Sequence, residues 1–140
     1  MNNRLKHRLI CKARGIQLAD FYRNKIHITF ILDGNRIVCY GVNNKYKTHP
    51  DSPSPYKTRH SELVAILNYP ISDECKRYHL TNLAEVANRL TLVNIRLLAS
   101  GYVAMAKPCK FCQRMLEEIP FKSVYYTDDE GEFIEFIELS

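Results

Sequence analysis

Two short motifs constrain this chain more than anything else in it: His60-Ser61-Glu62 and, starting 46 residues after Glu62, Pro108-Cys109-Lys110-Phe111-Cys112. Together they supply three side chains that ligate metals and one carboxylate that need not. A fold that uses them jointly must bring residue 60 to residues 109–112. Cys109 and Cys112 are three apart, so on a helix both sulfurs lie on one face. Pro108 suits the first position of such a helix, where its missing N–H would be unpaired in any case. The free amides and positive dipole end of that helix favour thiolates, the form that binds zinc. Ser61 to Leu67 reads as a short apolar helix beginning near His60 and stopping before Pro70, which puts Glu62 close to His60. Three protein ligands leave a fourth tetrahedral position open to water, as in catalytic rather than structural zinc sites.

The H-x-E and P-C-x-x-C pair resembles the zinc-dependent cytidine and deoxycytidylate deaminase superfamily. The resemblance implies zinc as cofactor, with His60, Cys109 and Cys112 as its ligands and Glu62 as the catalytic proton shuttle. Two plainer readings compete. Cys75 and His79 could complete a closed, structural four-ligand site with Cys109 and Cys112, which leaves His60-x-Glu62 unexplained. A Cys109–Cys112 disulfide is the other, and an odd count of five cysteines without a secretory leader argues against a disulfide framework.

At 140 residues and 46% hydrophobic, the chain is expected to form a single domain over 1–140 with one core. No apolar run approaches the roughly 18 residues that span a bilayer, so a cytoplasmic, reducing location is expected and no membrane partner. Cys11 and Cys39 then read as small hydrophobes. The net charge of +5 is uneven: residues 1–70 carry 12 Lys and Arg against 4 Asp and Glu, residues 71–140 carry 8 against 11. A basic first half suggests a phosphate-bearing partner, although Arg4, Lys6, Arg8, Lys12 and Arg14 also fit the solvated face of an amphipathic helix.

That helix is expected over about residues 3–22. A strand at 26–32, a turn at Asp33-Gly34-Asn35 and a strand at 36–41 form a hairpin. Residues 43–59, with Pro50, Pro53 and Pro55, read as a turn-forming loop that delivers the chain to His60 and shapes a pocket. A helix within Thr81–Leu90 capped by Thr81, a central strand at 91–98, the metal helix, and closing strands at 123–127 and 132–138 complete the order. The last two strands are too close in sequence to be other than antiparallel. The expected class is α/β: a three-layer α/β/α sandwich of the cytidine deaminase type, with a mixed five-stranded sheet and an antiparallel C-terminal hairpin. The closing hairpin resembles the free-nucleoside branch of the superfamily, whereas the intervening segment 99–107 departs from its compact members.

In the family an Asn after the second strand contacts the sugar, and Asn43 aligns with it, Asn44 in reserve. Lys45 stands where free cytidine deaminases usually have Glu, which suits a 5′-phosphate or a strand backbone. Asn-Asn is also plain turn chemistry. Tyr125 and Tyr126 point to opposite faces of their strand, so at most one lines the pocket while the other packs in the core; a core role suits both, and Tyr126 is taken as the pocket candidate. The resemblance implies hydrolysis of cytosine to uracil in a nucleoside or nucleotide. Cytosine in single-stranded DNA or RNA is the alternative substrate, and a non-catalytic zinc protein that binds a partner is the alternative class. A homo-oligomer is compatible with either.

Overall fold

Leu5, Leu9, Ala13 and Gln17 recur every fourth residue and form one buried stripe, which is why Asn3–Ala19 folds as helix α1 against the rest of the chain. Asn2 caps it: its Oδ1 accepts the Leu5 amide at 2.8 Å. Arg4, Arg8, Lys12 and Arg14 lie off the stripe and are exposed. Two of them tie α1 to other elements, Arg8 donating to the Asn35 carbonyl and Arg14 Nε to the Gly101 carbonyl at 3.2 Å. The computed structural model describes residues 1–19, 25–48, 58–70, 83 and 85–137, with backbone only at 44–48 and 58–59.

Strands β1 (Ile26–Asp33) and β2 (Arg36–Val42) form the expected hairpin, turning at Gly34, whose φ of 62° favours glycine. The segment expected as a loop after β2 is partly ordered into a small ladder. Within it β3 (Asn44–Thr48) and β4 (Thr58–Arg59) pair antiparallel, giving partners to backbone groups of both segments. Helix α2 (Ser61–Asn68) follows. Residues 83, 85 and 86 are helical and run into a 3₁₀ turn at Ala87–Arg89; the proposed Thr81 cap lies outside the described residues. Next come β5 (Leu90–Leu97), β6 (Val103–Ala104), α3 (Lys110–Glu118), β7 (Ser123–Thr127) and β8 (Phe133–Glu135).

The sheet runs β2-β1-β5-β7-β8, with β5 and β7 parallel and the other pairs antiparallel, and β7–β8 is the expected closing hairpin. It has six strands rather than the expected five. β7 pairs with β5 only from Thr91 to Asn94, so the free edge of Arg96 and Leu97 is taken by Val103 and Ala104 folding back as β6. A two-residue strand has no periodicity to betray it in sequence.

Alternation along β1 and β5 separates two hydrophobic clusters. Ile26, Ile28, Phe30, Leu32, Val93, Ile95 and Leu97 pack with Leu5, Leu9 and Ala13 of α1. Ile31, Leu92 and Val124 pack with Leu63 and Ile66 of α2 and Met115 and Leu116 of α3. Tyr125 joins the first cluster, so its neighbour Tyr126 belongs to the second face.

Candidate metal centre

On the face that carries α2 and α3, the sheet changes character along its strands. The rung Ile31–Leu92 is apolar, the next is Thr29–Asn94, and the one beyond is His27–Arg96. The Thr29–Asn94 rung extends outward to Gly41 on β2 and Tyr126 on β7. Gly41 lets the backbone of α2 approach here: a Cβ at this position would lie 2.7 Å from the Ser61 carbonyl oxygen and equally close to the Val64 carbonyl carbon. α2 is fastened at two further points, Ser61 Oγ on Thr29 Oγ1 at 2.8 Å and the Cys39 thiol donating to the Ala65 carbonyl at 3.5 Å.

This seating aims the first turn of α2 at the first turn of α3. His60 is the N-cap of α2 and Cys109 the N-cap of α3. Pro108 therefore precedes the cap and does not open the helix as expected. The spacing argument survives, because Cys109 at the cap and Cys112 at the third helical position still share a turn. Gln113 holds that turn closed, its amide donating to the Cys109 carbonyl at 2.8 Å and its Nε2 to the Pro108 carbonyl at 2.7 Å. His60 Nδ1 lies 3.7 Å from Cys109 Sγ and 3.2 Å from Cys112 Sγ, and all three ligand atoms fall within 4.8 Å of one another. Tetrahedral Zn–N and Zn–S bond lengths imply an N···S edge of about 3.6 Å, so the donors fit one such ion. Cys112 is buried, His60 half-buried and Cys109 exposed, which leaves the cluster open on one side.

Glu62 is buried against this cluster. Its Oε1 accepts from Ser61 Oγ at 3.0 Å and from Asn94 Nδ2 at 3.2 Å. Asn94 Oδ1 lies 2.6 Å from Thr29 Oγ1, and its Nδ2 also reaches the Ala106 carbonyl at 3.5 Å, two residues before Pro108. One buried network thus links both motifs to the sheet. Burial, then the Glu62 carboxylate and Cys109, push the Cys112 thiol well above its ordinary range. That overrides the helix dipole, which on sequence grounds favours a thiolate. A divalent cation reverses the balance by adding the positive charge that the buried sulfur and carboxylate lack.

Of the other residues singled out in sequence, Asn43 follows β2. Its amide donates to the His27 carbonyl at 3.1 Å and its Oδ1 accepts the His27 amide at 3.0 Å. Tyr126 is half-buried beside Asn94 on the metal face. Asn44 and Lys45 lie in β3, where only the backbone is described, and Cys75 and His79 lie outside the described residues. The sequence reading passed over Thr29, Asn94, His27 and Arg96. Their signal was present as polar residues inside otherwise apolar strands.

The chain matches no protein-family model, no curated protein and no solved structure. What stands is an α/β fold with a mixed sheet and a His60–Cys109–Cys112 cluster that could hold a metal ion. Among the described residues no helix is long and apolar enough to cross a membrane.

Proposed function

We propose that this chain is a zinc-dependent hydrolytic deaminase that converts cytosine to uracil in a nucleoside or nucleotide, on a three-layer α/β/α scaffold of the cytidine deaminase type. The observation that carries the reading is the buried Glu62 carboxylate beside a three-donor nitrogen and sulfur cluster that is open on one side. A closed structural site has no use for such an acid, and leaving a carboxylate in the interior is costly unless it is hydrogen-bonded or does chemistry.

Two sulfurs and one imidazole suit zinc, which when bound supplies a Lewis acid that lowers the pKa of water towards about 7. The chain's own groups do the rest. Ser61 and Asn94 hold Glu62 by Oε1, which leaves Oε2 to carry the two protons of the attacking water in turn, the first to the ring nitrogen as the water oxygen adds and the second from the resulting hydroxyl to the amino group, which leaves as ammonia. Asn94 also steadies the segment entering Pro108 through the Ala106 carbonyl, so the carboxylate and the sulfurs keep a common reference. Tyr126, beside Asn94, offers a face on which the base can stack.

The second reading keeps the chemistry and places the cytosine in single-stranded DNA or RNA. It is favoured by the exposed Arg4, Arg8, Lys12 and Arg14 of α1.

The test is to incubate zinc-loaded protein with cytidine, deoxycytidine, their monophosphates and a single-stranded oligonucleotide, and to measure uracil. Glu62→Gln should retain zinc and fold and lose at least about 100-fold in rate. Near-normal turnover in that variant refutes the mechanism, and no uracil from any substrate with wild-type protein refutes the function.

A further inference from the structure

Beyond Glu62, the sheet presents one more polar rung, and its charge is unmatched. Arg96 lies two residues past Asn94 on the same face of β5, about 7 Å further along the strand at 3.3 Å per residue. Across the ladder it faces His27, and His27 is held on its far side by Asn43. The strip Asn43–His27–Arg96 therefore runs alongside the rung that carries Glu62.

Arg96 is half-buried, and its Nε is fully buried with no hydrogen-bond partner. Burying a guanidinium N–H without a partner is costly. Among the described residues the one ion pair joins Arg36 to Asp33 at the hairpin turn, so no described carboxylate forms an ion pair with Arg96. The two aspartates that follow β7 are engaged elsewhere: Asp128 Oδ1 accepts the amides of Glu130 and Glu132, and Asp129 Oδ1 accepts that of Met105. The Arg96 amide reaches Thr127 Oγ1 at 3.5 Å, and that hydroxyl donates to the Ala104 carbonyl at 2.8 Å, so the backbone is pinned while the side-chain charge is left unpaired.

We propose that Arg96 is a specificity residue that receives a phosphate group of the substrate. The proposal rests on the deaminase reading and narrows its substrate to a phosphorylated one. The offset from Asn94 exceeds the width of a pyrimidine ring, so with the base at Glu62 the group that reaches Arg96 is beyond the ring. A planar guanidinium matches a phosphate with two parallel hydrogen bonds. Asn43 stands at the far end of the same rung, beyond His27. The phosphate can belong to a mononucleotide or to a strand.

The experiment titrates wild-type, Arg96→Gln and Arg96→Lys proteins, zinc-loaded and matched in melting temperature and zinc content, by calorimetry. The ligands are deoxyuridine, deoxyuridine 5′-monophosphate, inorganic phosphate and a short oligothymidylate. These need no turnover. The expected result is a loss of about 10- to 100-fold for the monophosphate with Arg96→Gln, the range of one or two charge-assisted bonds. Inorganic phosphate binding is lost as well, Arg96→Lys falls in between and deoxyuridine is unaffected. Equal losses for nucleoside and monophosphate, or no loss for either, overturn the proposal. If Arg96→Gln does not fold, the wild type still decides, because equal affinity for deoxyuridine and its monophosphate overturns it as well. Tighter binding of the oligothymidylate than of the monophosphate, with a salt slope that falls by about one in Arg96→Gln, assigns the phosphate to a strand. Phosphate discrimination without uracil from any cytosine substrate removes the deaminase reading and leaves the subsite. Uracil formation without phosphate discrimination does the reverse.

Discussion

Two glycine substitutions of opposite sign test how α2 is seated. A Cβ on Gly41 would lie 2.7 Å from the Ser61 oxygen, against the 3.4 Å at which ordinary contact begins, and closer still to the Ala65 nitrogen. The three atoms nearest to it are all backbone of α2, so no rotamer change relieves the clash, and strand or helix must yield by about 0.7 Å or more, the difference between those distances. Overpacking of this kind costs about 1–3 kcal/mol, or roughly 4–12 °C in Tm for a chain of this size. The displacement falls on the turn that carries His60 and Glu62, and a shift approaching 1 Å is worth on the order of 100-fold in activity. Gly41→Ala should therefore lower stability, metal affinity and turnover together. Gly15, exposed on α1 with nothing within 4 Å of an added Cβ, is the control. Gly15→Ala should stabilise by about 0.5–1 kcal/mol through helix propensity, leaving metal affinity unchanged. Urea unfolding and competition with a chromophoric chelator measure both quantities. If Gly41→Ala stays within about 0.5 kcal/mol of wild type, at unchanged metal affinity, α2 does not rest on β2 as described.

The protein should bind one zinc. His60→Ala, Cys109→Ala or Cys112→Ala should each weaken it by two orders of magnitude or more, on the order expected when one of three ligands is lost, and Cys75→Ala should not; metal loss in the Cys75 variant would instead favour the closed site. In metal-free native protein, alkylation at neutral pH should label exposed Cys11 and Cys109 but spare Cys39, whose thiol burial pushes up to about 12, and added zinc should protect Cys109 and not Cys11. Early labelling of Cys39 would contradict its burial against α2. Burial lowers the His27 pKa below its ordinary 6.5 despite the opposing Glu62 charge, so its contribution to stability is present above about pH 6.5 and fades as the unfolded chain takes up a proton below it. Wild type should lose stability relative to His27→Gln between pH 7.5 and 5, and parallel curves would refute the assignment.

The metal cluster was legible because its chemistry is concentrated in two short strings whose residue types have few other uses together. The strands at 26–32 and 91–98 were legible as dense apolar runs, and they emerge within a residue of those bounds as Ile26–Asp33 and Leu90–Leu97. The support beneath the cluster was hidden for the opposite reason. Thr29 and Asn94 are 65 residues apart and meet only through the β1–β5 register, which no local pattern encodes. Arg96 was equally silent, since a charge near the end of a strand normally reaches solvent, and only the sixth strand and the His27 rung make it half-buried. Pro108 was misplaced because proline is compatible with several positions around a helix start, and the caps are Cys109 and His60 themselves.

The same network bears on what Glu62 carries. Thr29–Ser61, Thr29–Asn94, Ser61–Glu62, Asn94–Glu62 and Asn94–Ala106 are five contacts. With Glu62 ionised, the two hydroxyls and the Asn94 amide supply only four hydrogens for them. Exchanging the Asn94 oxygen and nitrogen does not help, because its oxygen then faces the carboxylate. Thr29 therefore shares its one hydrogen between Ser61 and Asn94. Both network contacts to the carboxylate fall on Oε1, so Oε2 is the atom that would hold the proton between abstraction and return in the proposed mechanism. Gln at this position keeps both contacts by presenting its carbonyl oxygen to Ser61 and Asn94, and puts an NH2 that cannot take up a proton where Oε2 stood. Glu62→Gln should therefore melt no lower than wild type in the absence of metal while losing activity. A marked loss of stability would mean that the network is built for the ionised carboxylate alone, and that Glu62 is a structural anchor rather than a proton carrier.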